Sequence, residues 1–219
     1  MLKKIPKFPI QYISDIHVNY RNYRPLKFNN CEKYLIVCGD VGDPNHKNWN
    51  DFIKYTSDSF HKVFFIAGNH DYHCDCRFDH NKYNYWNNKL IENCSKYKNV
   101  HYLDCNSYYL KDEQIKIIGC TLWSSANDIH QKHVNFIKQE LNKKEPTENQ
   151  SSIVATHFCP TYKLMEDKYK DRKNIHLFFT DLEYLFMNPL KAWICGHTHS
   201  RLEIEINNIY CGVNAHFNT

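Results

Sequence analysis

The chain has 219 residues, 42% of them hydrophobic and 15% aromatic, with a formal net charge of +4. A chain of this length and composition can bury a real core, and it is read as one folded domain over residues 1–219, which excludes an intrinsically disordered protein. The slight positive charge helps gather anions but falls short of a duplex nucleic-acid footprint, and no run approaches the ~18 apolar residues of a membrane span.

In chain order, the basic start Met1–Lys7 is not followed by the apolar stretch of a signal peptide. The ten cysteines are therefore expected to be reduced and the protein cytoplasmic. Pro9–Ser14 reads as a strand that delivers Asp15 and His17 at its end; continued as a strand, it would put both side chains on one face. Tyr34–Cys38 is a continuous apolar run closed by Gly39, as expected of a strand buried on both faces. Trp49, Phe52, Ile53, Thr56 and Phe60 recur at helical spacing, and Val63–Ala67 is a third strand ending at Gly68. Strand, helix, strand predicts a parallel pairing.

From Asp71 to about Asn99 the chain is polar and aromatic, with a helix expected around Tyr83–Ser95. Ser107–Leu110 and Ile115–Cys120 read as a hairpin, Asp128–Asn142 as an amphipathic helix, and Lys143–Ser151 as a charged loop around Pro146. Ser152–Thr156 is a strand, Asp181–Met187 a short helix, and Ala192–Cys195 a strand into Gly196. Leu202–Ile206 and Ile209–Val213 form a hairpin across Asn207-Asn208. Taken alone, this order gives an α/β fold with a partly parallel sheet.

Five of these strand-like runs end on metal-ligand side chains: Asp15-Ile16-His17, Gly39-Asp40-Val41-Gly42-Asp43, Gly68-Asn69-His70-Asp71, Thr156-His157 and Gly196-His197-Thr198-His199. Carboxylate, imidazole and amide oxygen together suit manganese, iron or zinc. A lone Asp-x-His or Gly-Asn-His-Asp is more often a turn than a catalytic centre. Five such segments in order, each closing an apolar run, are another matter, because strand ends of one sheet converge on one edge. The glycines at 39, 68 and 196 would let the backbone turn sharply beside the ligands.

From Asp15 to His199 this pattern resembles the calcineurin-like metallophosphoesterase superfamily, in its compact, poorly characterised phosphohydrolase branch. The resemblance implies an αββα sandwich of two mixed β-sheets flanked by helices. It implies two divalent cations, manganese first and iron, zinc or nickel as alternatives. Asp15, His17, Asp40 and His199 would hold one, and Asp40, Asn69, His157 and His197 the other. A hydroxide bridging the two metals would attack phosphorus in line. His70 would protonate the leaving oxygen, and Asp43 would hydrogen-bond His70 and hold its orientation. The expected substrate is a small phosphodiester or nucleotide, with a nuclease and a catalytically silent protein-binding scaffold as the alternatives.

Asp43-Pro44-Asn45 lacks the Arg-Gly that follows this aspartate in the protein phosphatases, and Asp15 stands where the RNA-lariat debranching branch carries Cys. The tract Tyr72–Tyr97 is expected to roof the metal edge, with Tyr83, Tyr85 and Trp86 more often packing groups than a base-stacking platform. His73-Cys74-Asp75-Cys76 with His80 is read as a plain loop rather than a zinc site, and Trp123 as a core residue.

Overall fold

The computed structural model describes residues 1–124, 127–143 and 150–216. Five strands form the first sheet, in the order β1 (Lys3–Lys4), β2 (Ile10–Ile13), β3 (Tyr34–Cys38), β4 (Lys62–Ile66) and β5 (Val100–Tyr102). Strands β2 to β5 are parallel, and the short β1 pairs antiparallel at the edge. Six strands form the second sheet: β6 (Asn106–Leu110), β7 (Ile115–Cys120), β8 (Ser151–Thr156), β9 (Leu190–Cys195), β10 (Arg201–Ile206) and β11 (Ile209–Asn214). Its order is β10-β11-β9-β8-β7-β6, parallel from β11 to β7 and closed at each edge by a hairpin.

Alternation along each strand explains the layering. Tyr34, Ile36 and Cys38 of β3 join Phe64 and Ile66 of β4 against Ile117, Ile153, Ala155, Ala192 and Ile194 of the other sheet, all buried in one inner layer. The intervening residues Leu35, Val37, Val63 and Phe65 face outward onto Trp49, Phe52 and Ile53 of α1 (Lys47–Ser59) and Leu90 and Cys94 of α2 (His80–Ser95). Ile118, Val154 and Trp193 likewise meet Val134, Ile137 and Leu141 of α3 (Asn127–Asn142). Strands covered on both faces must be apolar throughout, which is why these runs read as continuous. Two mixed sheets with helices outside make the αββα sandwich.

Two local expectations are corrected. Helix α2 begins at His80, earlier than the hydrophobic pattern suggests, because the Asp79 carboxylate accepts from the backbone N–H groups of Asn81 and Lys82 and starts the helix there. Asp181–Met187 forms only a 3₁₀ turn over Glu183–Leu185. The short edge strand β1 has no hydrophobic alternation to announce it. The hairpin turn Asn207-Asn208 has both residues at positive φ, 53° and 61°, the conformation that two-residue hairpins need and that Asn tolerates. Most of the charged loop expected over 143–151 lies outside the described residues.

Parallel strands point the same way, so the carboxyl ends of β2, β3 and β4 emerge together, and those of β8 and β9 emerge beside them. The sheets are tied at this end. Ser14 N–H donates to Asn214 O at 3.0 Å, and His216 N–H donates to Ser14 O at 2.8 Å. This edge is where an open α/β sheet offers a crevice for a ligand.

Candidate metal centre

The five motif segments meet at this edge. Asp15 and His17 do not continue β2 as an extended strand; both turn into the left-handed region, at φ 52° and 50°. What brings them to one face is a coil held by β3, since Asp15 N–H donates to Gly39 O and both Ile16 and His17 N–H groups donate to Asp40 O. Asp40, His197 and His199 also adopt positive φ, at 55°, 69° and 53°. Such backbone is costly for residues with a Cβ and clusters where function demands it.

Asp40 lies at the centre. Its Oδ1 accepts from His70 N–H at 2.9 Å, and its Oδ2 lies 3.3 Å from His157 Nε2 and 4.0 Å from both His17 Nε2 and His70 Nε2. At this edge three sets of side chains have ligand atoms within 4.8 Å of one another: Asp15, His17 and His199; His17, Asp40 and His70; Asp40, His157 and His197. Asn69 Oδ1 reaches the third set, 3.1 Å from His157 Nε2, while its Nδ2 donates to Cys74 O and so fixes which end of the amide faces inward. His157 Nδ1 donates to Cys38 O at 2.8 Å, which orients the ring and aims Nε2 at Asp40 and Asn69. Asp15 accepts from His197 N–H through both carboxylate oxygens.

The donor set fits divalent cations on two counts. Among the described residues His197 Nε2 is buried without a hydrogen-bond partner, an expensive state for a ring nitrogen unless a ligand completes it. Phe158 and Phe178 flank that ring at 4.1 and 4.7 Å and fix its plane. Second, burial depresses His17 to about 4 and also lowers His197 and His199, so these imidazoles are held neutral with lone pairs to offer. Burial acts against charge on Asp40 as well, but the charge of His157 and its hydrogen bond outweigh it and hold this carboxylate ionised.

Asp43 is placed differently from expectation. Its Oδ1 faces His73 Nε2 at 3.3 Å and accepts from Asn45 N–H, so its carboxylate orients His73, which stacks on Trp86 with ring centroids 4.0 Å apart. The aspartate that braces the loops is Asp71. It is fully buried and accepts from Asp40 N–H (2.8 Å), Gly68 N–H (2.8 Å) and Gly42 N–H (2.9 Å). Sequence reasoning passed over it although it follows His70 directly. The signal that could have found it was the one carboxylate inside a segment already picked as functional, Gly68–Asp71.

The glycines act by close approach more than by turning. Gly39 is at φ +82°, but at Gly68, which is not in that region, a Cβ would lie 2.2 Å from Asp40 Oδ1 and 2.7 Å from Asp40 N.

A cavity of about 330 Å³ opens over Asp40, Asn69, His70, His197 and His199. The expected roof from Tyr72–Tyr97 contributes only Asp75 and Cys76 at its near end; α2 spends its Leu90, Asn93 and Cys94 on the core instead. The larger wall is a segment that sequence reasoning left unassigned, with Tyr169, Arg172, Asn174, Ile175, Phe178 and Phe179. It lacks periodicity because it is a chain of 3₁₀ turns, Asp167–Tyr169 and Ile175–Leu177. Trp123 is fully buried, as expected, and His73, Cys74, Cys76 and His80 form no metal-binding group among the described residues. None of the ten cysteines is in a disulfide, and among the described residues no helix is long and apolar enough to cross a membrane.

Comparisons with known proteins agree with this architecture. The family model for calcineurin-like phosphoesterases matches residues 8–201. An uncharacterized protein, L509, of Acanthamoeba polyphaga mimivirus is 24% identical over 253 residues, covering 94% of this chain and 89% of its own. Among solved structures, the phosphopantetheinyl hydrolase PptH of Mycobacterium tuberculosis superimposes with a TM-score of 0.71 at 14% identity, over 95% of this chain and 89% of that one. A putative 5′-nucleotidase of Staphylococcus aureus superimposes with a TM-score of 0.51 at 14% identity, over 93% of this chain and 48% of its own. With a match over residues 8–201 that takes in every motif segment, the chain belongs to the calcineurin-like phosphoesterase family.

Proposed function

We propose that the protein is a dinuclear-metal phosphohydrolase of a small phosphodiester or nucleotide. The observation that carries this is Asp40, a buried carboxylate within ligand distance of both an inner group (His157, His197) and an outer one (His17, His70). Asp15, His17, Asp40 and His199 would hold one cation, and Asp40, Asn69, His157 and His197 the other. Divalent cations there would supply Lewis acidity toward phosphoryl oxygens and make water a nucleophile near neutral pH. The mixed oxygen and nitrogen donors favour manganese, iron or zinc.

The chain's own groups do the rest. Asn69 offers a neutral oxygen, which limits the negative charge facing an anionic substrate. His70 is half-exposed on the cavity floor with its backbone tied to Asp40, a placement suited to holding a proton for the leaving oxygen. Its neighbour Asp71, rather than Asp43, keeps this loop in place. Across the cavity, Arg172 lies 4.6 Å from the Tyr169 ring and has no carboxylate at ion-pair distance among the described residues. It is suited to a second anionic group on the substrate, while Ile175 and Phe178 offer an apolar surface to the remainder. The cavity's size favours a small molecule over a phosphoprotein surface or a duplex.

Metal analysis after manganese loading should approach two ions per chain, and Asp40→Ala should lose both. Rates should then be compared on a nitrophenyl diester and monoester, a nucleotide, a phosphopantetheinyl ester, an oligonucleotide and a phosphoserine peptide. Two bound ions with preference for a small ester support the reading. Preference for the oligonucleotide turns it into a nuclease, preference for the peptide contradicts it, and no bound metal points to a binding scaffold.

A further inference from the structure

A second cluster of reactive side chains lies away from the candidate metal centre, where β6, β7, α2 and α3 meet. The register of the β6–β7 ladder pairs Asn106 with Gly119, so the next step outward sets Cys105 against Cys120. Residues directly opposite on antiparallel strands have Cα atoms about 4.5–5.5 Å apart, inside the range a disulfide spans. Cys105 is half-buried at positive φ (50°), whereas Cys120 is fully buried. A His133 ring nitrogen from α3 and an Asp104 carboxylate oxygen share a 4.8 Å neighbourhood with Cys105 Sγ. Tyr83 of α2 donates its hydroxyl to Asp104 Oδ2.

We propose that Cys105 is a reactive thiolate, taken by hydroperoxides, and that Cys120 is the thiol that resolves its oxidised form into a disulfide. The His133 tautomer favours this over a metal site. His133 Nδ1 accepts from Leu122 N–H at 3.0 Å, so the ring proton sits on Nε2. Neither nitrogen then has a lone pair for a cation, but the ring keeps an N–H to give a thiolate. The charge balance agrees. The Cys120 S–H, followed by His133, draws Cys105 down to about 5, against burial and against the Asp104 carboxylate. Burial, then hydrogen bonding to Cys105, keeps Cys120 protonated. A half-exposed thiolate beside a protonated thiol is the arrangement in which oxidation is selective and reversible.

The chemistry balances. The Cys105 sulfur attacks the terminal oxygen of the hydroperoxide; an S–O bond forms, the O–O bond breaks, and the alkoxide takes a proton to leave as alcohol. The Cys120 sulfur then attacks the sulfenic sulfur; the S–S bond forms, the S–O bond breaks, and hydroxide leaves with the Cys120 proton as water. The two sulfurs lose two electrons and the hydroperoxide gains them.

The full chain is alkylated with iodoacetamide from pH 6.5 to 8.5, and each cysteine is followed by mass spectrometry. Exposed Cys31, raised above its ordinary range by burial of its surroundings, should gain about tenfold in rate per pH unit. Cys105 should stay nearly flat. In a separate arm, hydroperoxide should join the tryptic peptides bearing Cys105 and Cys120, which Lys111 and Lys116 separate. Cys120→Ser should stop at a sulfenic acid on Cys105 that dimedone traps. A Cys105 rate that climbs in parallel with Cys31 overturns the proposal. So does alkylation of Cys105 that begins only after a chelator strips the protein, since the cluster would then be a metal site.

Discussion

Replacing Asp71 with Asn tests whether the candidate metal centre depends on a brace that touches no metal ligand side chain. The carboxylate accepts three backbone N–H groups, two on Oδ2 from Asp40 and Gly68 and one on Oδ1 from Gly42. An Asn side chain can keep its oxygen on the first two, and its NH₂ then meets Gly42 N–H donor to donor. Losing one charge-assisted bond costs about 1.5–3 kcal/mol, and leaving a buried donor unpaired costs about 1–3 kcal/mol more. The neutral amide also relieves the charge that burial and Asp40 resist, a resistance that pushes the Asp71 carboxyl up to about 7. The net expectation is a loss of about 2–4 kcal/mol, which for a chain this long lowers the melting temperature by roughly 5–15 °C. Because the freed N–H groups belong to the loops that present Asp40 and Asn69, manganese occupancy should fall as well. Melting curves of the metal-free protein and metal analysis of the loaded one are the readouts. Asp43→Asn is the control: among the described residues its carboxylate reaches only His73 and its own turn, so the loss should stay below about 1 kcal/mol. An Asp71→Asn protein within 0.5 kcal/mol of the parent and fully loaded, by the same scale, would refute the brace.

Gly68→Ala drives a Cβ to 2.2 Å from Asp40 Oδ1, so it should abolish metal binding even where the protein still folds; full occupancy by metal analysis would contradict the close-approach reading. His70→Asn should cut kcat by about 10²–10⁴-fold on esters with alkoxide leaving groups and far less on nitrophenyl esters, with metal content unchanged. If the variant lost its metals instead, His70 would be a ligand. Arg172→Met should raise KM several-fold for substrates with a second anionic group and leave a simple nitrophenyl phosphoester unaffected; equal effects on both would remove Arg172 from recognition.

What the sequence made legible was residue identity at strand ends. Tyr34–Cys38 and Val63–Ala67 could be read as buried strands because both faces of each are covered, and their ends then placed Asp40 and Asn69 on one edge. What stayed hidden depended on contacts distant in sequence. The partner of Asp43 is His73, thirty residues on, and two of the hydrogen bonds that make Asp71 a brace come from the backbone N–H groups of Asp40 and Gly42 at the end of another strand. The cavity wall at 169–179 carries no periodic pattern because 3₁₀ turns bury residues singly.

The geometry at the ligands was the least legible part, and for a physical reason. Asp15, His17, Asp40, His197 and His199 all sit at φ between 50° and 69°, a region where L-residues pay about 1–2 kcal/mol each. Local propensity argues against that conformation at every one of the five, so no sequence rule would assign it. It persists because the two sheets over-determine these turns, through Asp15 N–H on Gly39 O, His17 N–H on Asp40 O and Gly196 N–H on His157 O. Strain that falls on ligand candidates, and on Cys105 at the second cluster, is strain the rest of the fold must hold in place. The apolar strands therefore do two things at once. They form the core, and they supply the stability against which both reactive clusters are held in shapes their own residues disfavour.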